Sequence, residues 1–166
     1  VWADIQTLVE NADSVGYHIV QWPNSGWSDA ASQLELNQTA PDEEYRALFQ
    51  TKEFRQALSI AVDREEFAKL MSDGWQSGRQ ASPAEGAQGY NEAWALKWTE
   101  YDVDGAKALL EGLGMVKGSD GYYDCPSGKD FVLNLNSYTG SGADEAYKVL
   151  NTYWEAIGIK STFKDM

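Results

Sequence analysis

Residues 131–164 constrain the fold more than any other stretch of the chain. Phe131, Leu133 and Leu135 alternate with Val132, Asn134 and Asn136, a period of two that places the first set on one face of a strand. Ala146, Val149, Leu150, Tyr153 and Ile157 then recur at helical spacing, and Gly158 supplies a stop. Ile159 to Lys164 returns as a second strand. A strand, a helix and a strand in that order imply a right-handed parallel crossover, so the chain is expected to be α/β.

The remaining pattern surrounds that unit with helices. Ile5, Leu8, Val9 and Ala12 follow helical spacing behind Asp4, a capping residue, and this helix is expected to pack on a sheet. Tyr17 to Gln21 reads as a strand broken by the turn residues Pro23 to Gly26, and Gln33 to Asn37 alternates as another. Its polar face would carry Gln33, Glu35 and Asn37, opposite Leu34 and Leu36. Phe54, Ala57, Leu58 and Ala61 mark a helix from near Thr51. Asp63 with Glu66 gives capping-box spacing for the next, whose buried edge would be Phe67, Leu70 and Met71. From Ser72 to about Glu100 no periodicity persists, which predicts a long surface loop opened by Trp75. Asp102 caps a helix with Ala106, Leu109, Leu110 and Leu113 inside, ended by Gly114. Turns at Asp120-Gly121 and Pro126-Ser127-Gly128 enclose a short strand.

Charge and composition exclude several functions. Twenty-six acidic residues against thirteen basic ones leave a net charge of -13, which repels nucleic acid and anionic lipid alike. A single cysteine, Cys125, rules out an intrachain disulfide and a thiolate metal cage. Asp120, Asp124 and Asp130 nearby oppose a Cys125 thiolate. The single histidine, His18, read as a structural strand residue, leaves no Ser-His-Asp triad or two-histidine zinc site within the chain. Asp102-Val103-Asp104-Gly105 lacks the further ligands of an EF-hand and reads as a helix cap. No GxGxxG, Walker loop or basic aromatic stripe is present, and no cofactor is expected. No apolar stretch approaches the ~18 residues that span a bilayer.

Several segments stand in a recognisable order: Leu34 to Asn37, Phe54 to Glu66, Tyr101-Asp102 to Gly114, Asp120-Gly121, Gly128-Lys129 and Ile157-Gly158-Ile159. In that order the chain resembles the distal lobe of family 5 extracellular solute-binding proteins, the receptors of peptide and nickel ABC importers. The resemblance implies an α/β domain with a mixed sheet flanked by helices, a partial lobe of a two-lobed, type II-like periplasmic-binding-protein fold. It implies a single domain over residues 1–166, cut from a longer protein. It also implies a monomeric receptor, not an enzyme, that captures a small solute between two lobes and hands it to ABC permease subunits. The solute would be an oligopeptide, with an oligosaccharide as the alternative. The place would be the periplasm or the outer face of the bacterial cytoplasmic membrane. The aspartate that anchors a peptide's amino group in such receptors lies downstream of Met166.

The resemblance carries ligand contact to the polar strand edge, Gln33 and Glu35, and to the strand-to-helix corner, Ser137, Tyr138 and Thr139. Physical reasoning favours the same corner, because ligands of open α/β sheets lie beyond the carboxyl ends of strands. Asn37 shares the face of Glu35, and Trp75 offers a surface for stacking. Each position also has a plainer reading: a solvated carboxylate at Glu35, a helix-capping corner at 137–139, and a Trp75 that closes its own loop. Abundant Trp and Tyr with many carboxylates keep a secreted carbohydrate-binding or carbohydrate-active protein as a rival, and a ligand-free interaction module as a third reading.

Overall fold

The computed structural model of the chain describes residues 4–20, 33–83, 85–138 and 143–166. Its elements run α1 (Ile5–Val15), α2 (Glu43–Gln50), α3 (Lys52–Ile60), α4 (Arg64–Ser72), α5 (Glu92–Ala95), α6 (Val103–Gly112), β1 (Val116–Lys117), β2 (Tyr123–Asp124), β3 (Leu133–Ser137), α7 (Ala143–Ala156) and β4 (Ser161–Asp165). The chain is α/β, and its described residues show both kinds of strand pairing, divided between two two-stranded sheets. β1 and β2 pair antiparallel; β3 and β4 pair parallel, from Leu133 against Ser161 to Ser137 against Asp165. The parallel pair joined through α7 is the crossover expected from the sequence.

Contacts divide the chain into two compact units. One holds Val1–Ala31 and Arg64–Lys97, the other Ser32–Asp63 and Trp98–Met166. The second unit contains a continuous hydrophobic core. Phe54, Ala57 and Leu58 of α3, Ala106 and Leu110 of α6, and Phe131, Leu133, Trp154, Ile157 and Ile159 are all buried in it. Phe54 meets Phe131 edge-on at 5.6 Å between ring centres, and Phe49 lies 5.9 Å from Phe54, geometries that aromatic quadrupoles favour. The Trp154 indole N–H donates to the Leu58 carbonyl at 3.3 Å, tying α7 to α3 with its one polar atom satisfied.

Helix ends follow from local chemistry. Asp102 caps α6 by accepting from the Gly105 N–H at 2.8 Å, and a Cβ on Gly105 would collide with that carboxylate. Gly158 ends α7 at φ 81, the left-handed conformation that glycine adopts without strain. α2 occupies a stretch to which the apolar patterning above assigns no element. Asp42 accepts from the N–H groups of Glu44 and Tyr45, both at 3.1 Å, and Leu48 and Phe49 reach the core. Thr51 sits where α2 ends and α3 begins, but its hydroxyl donates back to Ala47 and leaves α3 without a side-chain cap.

Several expectations are corrected. Residues 17–20 and 33–37 are irregular, not strands, and no described strand pairs with either segment; alternation alone does not make a strand without a ladder partner. His18 is accordingly an exposed residue outside any strand. Gln21 and the turn at 23–26 lie outside the described residues. α1 forms, yet none of its residues is buried, with Leu8 at 48% and Val9 at 38% exposure, so its stripe does not pack on a sheet. Asp4 sits at its N-cap without a side-chain bond, its backbone being helical where a cap needs an extended conformation. In α4 the buried positions are Ala68 and Ser72, four apart, whereas Leu70 is 62% exposed: the small-residue face turns inward. The segment after Ser72 includes α5, capped by Asn91.

Candidate functional site

The second unit builds its candidate site at the carboxyl ends of β3 and β4. A clasp fixes where β3 begins. Lys129 pairs with Asp42 and lies 5.2 Å from the Tyr45 ring centre, so one ammonium serves a carboxylate and an aromatic face. The Lys129 hydrogen bond holds the Asp42 carboxyl below its ordinary pKa, and the same bond raises that of Lys129. Glu44 accepts from the Ser127 N–H at 2.9 Å and from its hydroxyl at 2.8 Å. The Tyr45 hydroxyl accepts from the Val132 N–H at 2.9 Å, and burial raises its pKa. Helix α2 therefore grips the turn before β3 at three points, and β3 starts from a fixed base.

At the far end, Ser137 closes β3 opposite Asp165, and its carbonyl accepts from the Met166 N–H at 2.9 Å. Tyr138 follows, 83% exposed, an extreme value for an aromatic ring. Behind this edge Tyr147 of α7 stacks on Phe163 of β4 at 5.0 Å and 21°. Thr139 lies outside the described residues. Strand ends, an exposed ring and the start of a helix thus converge where open α/β sheets present ligand groups.

In the 33–37 segment, Gln33 donates to Glu35 at 3.1 Å, so these two side chains meet, and both are exposed. The Asn37 side-chain oxygen accepts from the N–H and the hydroxyl of Thr39, at 3.0 and 2.9 Å, which closes the turn leading to α2. Asn37 therefore already serves the fold with its oxygen. Trp75 belongs to the other unit, half-buried beside the end of α4, with its N–H on the Ser72 carbonyl at 2.9 Å.

Burial favours the neutral forms of Cys125 and Tyr123. Cys125 is fully buried, and burial first, then the Glu44 carboxylate, pushes its thiol up to about 11. Tyr123 is pushed up to about 12 by burial and by its hydrogen bond to Glu111, 2.7 Å long. Among the described residues no three His, Cys, Asp or Glu side chains group to hold a metal ion. No described helix is long and apolar enough to cross a membrane.

Polar and aromatic groups at strand ends stand where open α/β folds usually hold their ligands. Residues 2–166 match the family described as bacterial extracellular solute-binding proteins, family 5 Middle, and the chain belongs to that family. Among solved structures it is similar to the oligopeptide-binding protein OppA, with 30% identity and a TM-score of 0.88, over 99% of this chain and 26% of that one. It is also similar to the oligopeptide-binding protein AppA from Bacillus subtilis, in complex with a nonapeptide, with 27% identity and a TM-score of 0.61, over 74% of this chain and 25% of that one. The periplasmic binding protein MelB from Agrobacterium fabrum C58, in complex with stachyose, shares the fold at 21% identity and a TM-score of 0.63, over 76% of this chain and 20% of that one. The chain thus spans about a quarter of the length of the OppA structure it matches. No match is found among curated proteins.

Proposed function

We propose that the chain is part of the distal ligand-binding lobe of an exported receptor that captures oligopeptides and delivers them to an ABC permease. The observation that carries this reading is the similarity to OppA across 99% of the chain at a TM-score of 0.88. Glu35 and Gln33 would accept from and donate to the peptide's polar groups. Ser137, Tyr138 and Thr139 would meet it at the end of β3, Asn37 would use its amide nitrogen, and Trp75 would offer a stacking face. Closure of a second lobe would replace water with these groups and bury the solute, giving the permease a closed form distinct from the open one. The receptor would act as a monomer in the periplasm or anchored at the outer face of the cytoplasmic membrane, capturing without converting.

Calorimetric titration of the full-length protein with mixed tri- to pentapeptides tests the reading. Heat release is expected with peptides, reduced about fivefold or more in affinity by Glu35→Gln and by Tyr138→Ala. Heat release with oligosaccharides alone would overturn the peptide assignment, and steady product formation from a glycan would overturn the receptor itself.

A further inference from the structure

Outside the strand-end site, the unit formed by Val1–Ala31 and Arg64–Lys97 contains a pocket of about 310 Å³, lined in part by Ser82, Pro83, Gln88, Gly89, Asn91 and Trp94. Its walls are tied to one another. The Gln80 N–H donates to the Ala95 carbonyl at 2.8 Å and its side chain to the Lys97 carbonyl at 2.9 Å, which fixes residues 80–83 against the end of α5. Gly89, at φ 87, brings the third wall close: a Cβ there would lie 3.9 Å from the Pro83 ring.

Trp94 is 68% exposed at this pocket, so its indole remains available to a ligand. A volume at the lower end of ligand pockets suits one ring rather than an extended chain. Among the described residues no charged side chain lines it, in a protein with 39 charged residues by composition, and a neutral ligand suits such a lining. Polar side chains share the lining with Trp94. The Asn91 side-chain oxygen is committed to the Trp94 N–H at 3.2 Å, which leaves its amide nitrogen as a donor with restricted freedom. The Ser82 hydroxyl donates to the Pro83 carbonyl at 3.2 Å and is left with its acceptor pairs. Gln88 offers both functions.

An apolar ring face bordered by donors and acceptors is the complement of a pyranose, whose C–H face stacks on indole while its hydroxyls reach amides. We propose that this pocket is a binding site for a single neutral hexopyranose ring, stacked on Trp94 and held at its rim by Asn91, Gln88 and Ser82. The site stands independently of the peptide reading.

Saturation-transfer NMR on the full-length protein with methyl α-D-glucopyranoside tests it, using circular dichroism to verify that each variant is folded. Saturation is expected on the protons of one ring face and is expected to be lost in Trp94→Ala. Asn91→Asp, which keeps the capping oxygen and deletes the donor, is expected to weaken binding about fivefold or more. An unchanged signal in folded Trp94→Ala would overturn the proposal. So would displacement of the glycoside by a saturating oligopeptide, because the sugar would then occupy the peptide site. Binding of N-acetylphenylalaninamide at Trp94 in place of the glycoside would overturn it too, by showing a pocket for an aromatic side chain.

Discussion

Gly158 is the residue on which the α7 to β4 transition turns, and replacing it with alanine separates two costs that usually arrive together. At φ 81 an L-residue pays for the left-handed conformation, about 1–2 kcal/mol. Its Cβ would also stand 3.0 Å and 3.2 Å from two Tyr123 ring carbons, against about 3.5–4.0 Å at ordinary contact. Tyr123 is poorly placed to yield. It is 2% exposed, its hydroxyl is bonded to Glu111 at 2.7 Å, and its own N–H donates to the Gly158 carbonyl at 2.7 Å. Overpacking of this kind costs about 1–3 kcal/mol more. Gly121 is the internal control: its φ is 89, yet a Cβ there meets nothing within 4 Å. Both substitutions restrict the unfolded chain equally, so that contribution cancels in the difference. Urea unfolding followed by far-UV circular dichroism is expected to show Gly121→Ala destabilised by about 1–2 kcal/mol and Gly158→Ala by about 2–5 kcal/mol. Equal losses in the two variants would refute the claim that the Tyr123 contact, not the backbone alone, demands glycine.

Trp154→Ala empties a fully buried site and orphans the Leu58 carbonyl contact, and should cost about 3–5 kcal/mol by the same assay. Burial raises Cys125 from 9.0 to about 11 and Tyr123 from 10.0 to about 12, so folding favours their neutral forms. That contribution is whole below the unfolded values and is lost as pH rises through the folded ones; stability should fall from about pH 9 towards about pH 12, less steeply in Tyr123→Phe. Cys125 should react with an aromatic disulfide reagent only at the rate of unfolding, which a denaturant series would show; rapid labelling of the native protein would contradict its burial. With a net charge of -13 the folded chain repels itself, and about 0.5 M sodium chloride should raise the melting temperature relative to low salt.

Helical spacing made α1 and α4 legible as helices but not which of their faces is buried, whereas for β3 and α7 both the element and its packing were legible. The alternation at Phe131, Leu133 and Leu135 became β3 because β4 lies alongside it, and α7 covers the pair with Ala146, Tyr153 and Trp154. The caps at Asp102 and Gly158 were legible because capping is decided within a few residues. The segment at 33–37 shows the opposite case. Its alternation is as regular as that of β3, yet Leu34 is 41% exposed and only Leu36 packs against the core, since no described strand offers it a ladder. A period of two states which side chains share a face; it does not supply the neighbour that makes the face a sheet. Helix α2 failed for a different reason. Its signals, Asp42 before Glu43 and Glu44 with Tyr45, Leu48 and Phe49 at helical spacing, are present, but the helix is only eight residues long and its apolar stripe is correspondingly short.

The candidate site was legible as a place rather than as a set of contacts. Strand order fixes where the carboxyl ends of β3 and β4 fall, and Ser137 and Tyr138 follow from that with no knowledge of a ligand. What a single sequence does not encode locally is commitment: whether a polar side chain is spent on its own chain. Asn37 and Glu35 look alike on an alternating face, but Asn37 closes a turn with Thr39 while Glu35 accepts from the Gln33 side chain. Trp94 and Trp75 look alike in an aperiodic segment, but one is half-buried and the other 68% exposed beside a pocket. In each pair the difference comes from hydrogen bonds and walls supplied by neighbouring turns, which is why the aromatic surface best placed for a ligand in that segment is the one the sequence did not single out.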